Sequence, residues 1–124
     1  MANEISLTVN LSVAKGSLRY TFAPPPASIN LTGNAGAGAV QNVSTTTEAL
    51  SVVDVTSPGI ASFINLTSGS EVQVGQMSGG TFVPVLQLEY GEPAVARMAT
   101  TALYAKVTVP TNGTANLQWN LLSD

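Results

Sequence analysis

Apolar and polar residues alternate from the start of the chain. Ile5, Leu7, Val9, Leu11 and Val13 are apolar, while Glu4, Ser6, Thr8, Asn10 and Ser12 between them are polar or charged. This period of two predicts one long strand with a single buried face. Gly16 in AKGS supplies a turn, and the alternation resumes in the opposite phase with Leu18, Tyr20 and Phe22 apolar. Together the two segments predict an N-terminal hairpin, or arm, over residues 1–23. Pro24, Pro25 and Pro26 then stop ladder pairing, since none has an N–H to donate and each fixes its own φ.

Residues 24–40 read as a Pro- and Gly-rich connection containing one short strand, ASINLT. Its LTGNAGAGAV stretch superficially resembles a phosphate-binding loop. A Walker-type loop needs GxxxxGK and a following helix whose N-terminus faces the anion. This stretch has no lysine and runs into the β-prone AVQNVSTTT, which predicts a flexible connection where small residues permit positive φ.

From there strand-sized segments recur to the C-terminus: EALSVVDVT, IASFINLT, EVQVGQM, TFVPVLQLEY, AVARMA, ALYAKVTV and TANLQWNLL. Between them lie the turn signals SPG, SGS, SGG, GEP and PTNG. Only Ala94 to Tyr104 has tolerable helix propensity, and its Val and Thr residues favour a strand or loop. Eight to ten short strands predict an all-β chain, an antiparallel two-sheet β-sandwich of jelly-roll or Greek-key type. A length of 124 residues fits one such domain over 1–124.

Charge changes this picture in one respect. Only 9% of residues are charged against 44% hydrophobic, so Ser, Thr, Asn and Gln must carry the surface, and part of so neutral a surface is expected to lie against another subunit. The four basic residues, Lys15, Arg19, Arg97 and Lys106, are scattered, and the net charge is −3. Nucleic acid is therefore not an expected partner, because affinity for it comes from neutralised phosphates. No run of apolar residues is long enough for a membrane helix, and MANEISLTVN, with Glu4, lacks the pattern of a signal peptide. A membrane partner is not expected either. Asn-X-Ser/Thr sequons occur at Asn10, Asn30, Asn42, Asn65 and Asn112, and in so Asn- and Thr-rich a chain they read as coincidence.

The chain has neither histidine nor cysteine. Without imidazole or thiolate, Ser-His-Asp and Cys-His mechanisms fail, and zinc, copper and iron lose their usual ligands. Glu89 and Glu92 in LEYGEP are the nearest carboxylate pair, but they flank a turn at Gly91, where solvated charges are expected. A catalytic role for them is a residual reading. No cofactor and no metal site are expected. Trp119 and Tyr20, Phe22, Phe63, Phe82, Tyr90 and Tyr104 read as core residues before they read as a sugar-stacking platform.

The segments SPGIASFINLTSGSEVQVG, GGTFVPVLQLEYGEPAVARM and LYAKVTV carry a further signal. Over roughly residues 45–110 they resemble the small all-β virion proteins of tailed bacteriophages, of the capsid decoration or cement type. The resemblance rests on a strand ending at Gly59, an INLTSGSEVQVG hairpin around Asn65 and Gly69, and a turn at Gly91 and Glu92. It implies a non-enzymatic protein, oligomeric and trimeric by preference, made in the host cytoplasm and bound to the outer capsid surface. Its partners would then be the major capsid protein and itself. The expected contact residues are Ile5, Leu7, Val9, Tyr20, Phe22, Pro24, Pro25 and Pro26, because an edge strand can extend a neighbour's sheet. The alternative expectation is a phage fibre or tail component, or a lectin-like module holding glycan through Asn, Gln and an exposed aromatic.

Overall fold

A computed structural model describes residues 4–52 and 54–124 and shows an all-β chain in antiparallel sheets. Two compact units divide it, 1–32 and 33–124.

The N-terminal unit contains β1 (Ile5–Leu7), β2 (Leu11–Lys15), β3 (Leu18–Phe22) and β4 (Ala27–Ile29). The single strand expected from Ile5 to Val13 is broken at residues 8–10. The reason is partnership: β1 pairs with β4, Ile5 opposite Ile29 and Leu7 opposite Ala27, whereas β2 pairs with β3. The expected hairpin is present, with Lys15 opposite Leu18 and Gly16 at φ 57° in the turn. Its expected buried face is not. Val9 and Leu11 are exposed, Ile5, Leu7 and Val13 are half-buried, and no described residue of 4–32 is buried.

The larger unit has two four-stranded sheets. One orders β10 (Pro93–Arg97), β7 (Pro58–Asn65), β12 (Ala115–Ser123) and β5 (Gly36–Val43). The other orders β6 (Glu48–Ala49), β11 (Tyr104–Val109), β8 (Glu71–Ser78) and β9 (Thr81–Glu89). Both sheets contribute to one buried cluster: Val43, Phe63, Leu117, Trp119 and Leu121 from the first, Val72, Val74, Leu88, Ala105 and Val107 from the second. Strict alternation in β12 puts Ala115, Leu117, Trp119 and Leu121 inside and Asn116, Gln118 and Asn120 outside. Each fully buried large apolar side chain contributes about 1.5–3 kcal/mol, so this central strand and its facing residues supply most of the driving force.

Three local expectations are corrected. The glycine stretch is not a connection from Gly36 onward: residues 36–43 form β5 and pair with β12, Gly38 opposite Asn120 and Gly36 opposite Leu122. A Cβ at Gly38 would stand 2.2 Å from Asn120 Oδ1, so glycine there lets the neighbouring side chain lie across the strand. Among the described residues of EALSVVDVT, which omit Val53, only Glu48–Ala49 form a strand; Leu50 and Val55 are buried and plug the core instead. INLTSGSEVQVG is not a hairpin, because β7 and β8 belong to different sheets. Asn65 makes the corner. Its side chain is wholly buried, donating to Ser70 O and Leu88 O (both 3.1 Å) and accepting from Thr67 N–H (3.0 Å) and Ser70 Oγ (3.1 Å). All four of its hydrogen-bonding capacities are used, which ties the end of β7 to β9 of the opposite sheet.

In this unit β8 and β9 alone are consecutive strands of one sheet, joined through Gly79 and Gly80 at φ 58° and 81°. Positive φ at both central residues is the type I′ geometry that suits the strand twist.

Candidate functional site

The β2–β3 hairpin is built locally. Gly16 takes the left-handed turn position, and the Arg19 guanidinium donates to Gly16 O (2.7 Å) and Leu18 O (3.0 Å), fastening the turn. The register sets Leu11 opposite Phe22, Val13 opposite Tyr20 and Lys15 opposite Leu18. Directly opposed residues share a face, and side chains alternate along each strand. One face therefore carries Leu11, Val13, Leu18, Tyr20 and Phe22 with Lys15 at its turn end. The other carries Ser12, Ala14, Arg19 and Thr21. The apolar face is open: Leu11, Leu18, Tyr20 and Phe22 are 50%, 57%, 53% and 47% exposed. A two-stranded hairpin is marginal in water unless another layer covers it, so this face is the principal unsatisfied surface of the unit.

The expected contact residues fall in four places along the N-terminal unit. Tyr20 and Phe22 lie on the open face, whereas Ile5 and Leu7 are half-buried in the β1–β4 pair. Val9 is exposed between β1 and β2, and Pro24, Pro25 and Pro26 are exposed between β3 and β4. Leu11, Val13 and Leu18, apolar positions of the alternation that are not among the expected contact residues, belong to the same face. The signal was available in the two-residue turn, which fixes the register and with it the cross-strand neighbours.

A second feature lies on the larger unit. A hollow of about 410 Å³ is lined by Gly69, Ser70, Glu71, Glu89, Tyr90 and Val109, with Tyr90 and Val109 both exposed. Glu71 and Glu89 stand directly opposite in the β8–β9 ladder, a like-charge pairing that disfavours the sheet. The Thr108 hydroxyl donates to the Glu71 carboxylate. The Glu92 carboxylate accepts from the Glu89 N–H at 2.9 Å, so it serves the turn at Gly91. Among the described residues no three Asp or Glu side chains gather as a metal-binding group.

Of the aromatic residues considered as a stacking platform, Trp119 and Phe63 are buried, while Tyr20, Phe22 and Tyr90 are exposed. Trp119 Nε1 makes no hydrogen bond to another described residue. Asn65, the most heavily bonded polar residue of the core, sits in a sequon, and sequence offered no sign of its burial. No known protein family, curated protein or solved structure matches the chain in comparisons with each.

Proposed function

We propose that this chain is a structural, non-enzymatic protein that joins a larger assembly through its N-terminal unit. With the sequence resemblance described above, the reading becomes a homo-oligomeric decoration protein that cements a bacteriophage capsid by bridging coat subunits. The observation that supports it most is the open apolar face of the β2–β3 hairpin, with two aromatic and three aliphatic side chains aligned on one side. Tyrosine is enriched among residues that dominate binding energy, and aromatic residues are enriched at interfaces generally. Among the described residues β2 pairs with β3 alone, so the hairpin adds no further strand at its edges. Such edges are templates for sheet extension by a partner.

The test is co-sedimentation of the full chain with purified shells of the corresponding phage, compared with a Tyr20→Ser, Phe22→Ser variant. Truncating an interface anchor costs about 2 kcal/mol or more, and such losses do not simply add, so the double variant is expected to bind at least about 30-fold more weakly. Absence of wild-type binding to the shell, or undiminished binding by the variant, overturns this reading.

A further inference from the structure

We infer that the turn end of the hairpin's apolar face, Lys15 and Leu18, is covered by a second copy of this chain, at the hollow between Glu71, Glu89 and Tyr90, leaving Tyr20 and Phe22 farther along the face for the shell. The inference rests on the proposed function in assigning the hairpin a contact role, and it names the partner.

The two surfaces are complementary in charge and in polarity. Lys15 and Arg19 are two of the four cations of the chain, and no carboxylate occurs from residue 5 to residue 32. Residues 33–124 have the opposite balance, six carboxylates against Arg97 and Lys106, a net −4. Neither of those two cations serves the hollow: Arg97 is paired with Asp124, and the Lys106 ammonium lies 5.3 Å from the centroid of the Phe82 ring. Glu71 and Glu89 are thus opposed without a cation between them among the described residues. The hollow is apolar at Tyr90 and Val109 and anionic at Glu71 and Glu89. The hairpin face is apolar along its length and cationic at its turn, where Lys15 stands opposite Leu18.

Seating one on the other puts the Leu18 side chain against Tyr90 and Val109 and the Lys15 ammonium between the two carboxylates. That placement buries apolar surface and relieves the like-charge pair in one contact. Two hairpins meeting face to face would instead leave both Lys15 ammoniums without a carboxylate from the facing hairpin, since residues 5–32 carry none. The contact joins different surfaces of the two copies, so it is heterologous and generates a ring when the rotation closes.

The experiment measures the mass of the full chain in solution by sedimentation equilibrium across concentration and salt, with no shell present. Lys15→Glu and Glu89→Lys are each expected to weaken association about tenfold or more, as charge reversal at a close interfacial pair does. The double variant, which restores opposite signs, is expected to recover most of it. Wild-type association should also weaken as salt screens the pair. A monomer throughout, a salt-insensitive oligomer, single reversals without effect, or a double variant that stays weak would overturn the inference. A monomer that still binds shells through Tyr20 and Phe22 removes this inference and leaves the proposed function standing. An oligomer of the expected kind that ignores shells does the reverse.

Discussion

Substituting Asn65→Asp tests the corner that joins the two sheets. The side chain keeps its shape and its two acceptor bonds, from Thr67 N–H and Ser70 Oγ, but loses both donor bonds, to Ser70 O and Leu88 O. Two lost hydrogen bonds account for about 2 kcal/mol, and two buried carbonyls left facing an acceptor add to that, for a total of about 3–5 kcal/mol at neutral pH. Against a total stability of about 5–15 kcal/mol this is a large fraction. The assay is urea unfolding followed by the fluorescence of Trp119, the one tryptophan, which is buried in the core of this unit. With slopes of about 1–3 kcal/mol per molar urea, the midpoint should fall by about 1–5 M.

The deficit has a sign in pH. Burial and the two facing carbonyls disfavour the new carboxylate, so its folded pKa lies above its unfolded one. Such a group contributes most below the unfolded value of about 3.9 and loses that contribution as pH rises through the folded value. Relative to wild type at the same pH, the deficit should therefore shrink on acidification, because the protonated carboxyl again donates a bond. Asn65→Ala, with nothing to titrate, should show a deficit without this trend. A midpoint shift below about 0.3 M, or a deficit that deepens in acid, would refute the corner argument.

Two further changes probe the same unit. Gly75→Ala places a Cβ 2.0 Å from Val83 O and 2.8 Å from Pro84 Cα, both backbone atoms beside the bulge of the β8–β9 pair. It should cost about 2–3 kcal/mol, read by urea unfolding, with faster amide exchange along β9; exchange rates like those of wild type would show that the strands can separate cheaply. Trp119→Phe removes the buried Nε1 donor, which bonds to no described residue, along with part of the packing. Relief of the unsatisfied group offsets lost contacts, so thermal unfolding followed by circular dichroism should register a loss well below the about 3–5 kcal/mol typical of truncating tryptophan to alanine.

Much of the fold was legible in one dimension because period-two patterning reports a half-buried strand directly. In β12 the alternation of Leu117, Trp119 and Leu121 with Gln118 and Asn120 maps residue by residue onto inside and outside. The same rule misleads at Ile5–Val13. Alternation specifies that a strand has two faces, but not that one pairing partner serves its whole length, nor that anything covers the apolar side. Composition marked the absence of histidine and cysteine and the neutral surface, and these narrowed the chemistry before any coordinates.

What only tertiary structure decided was partnership across sequence distance. That Glu71 faces Glu89 follows from the β8–β9 register, including the shift between Val74 and Gly75. That Asn65 turns a corner instead of closing a hairpin depends on Leu88 O, on a strand more than twenty residues away. The glycines of GNAGAGAV changed meaning for the same reason: alone they are permissive backbone, but beside β12 they leave room for Asn120 and complete the edge of a sheet. Local pattern determines which way a side chain points; the opposing strand determines what it meets.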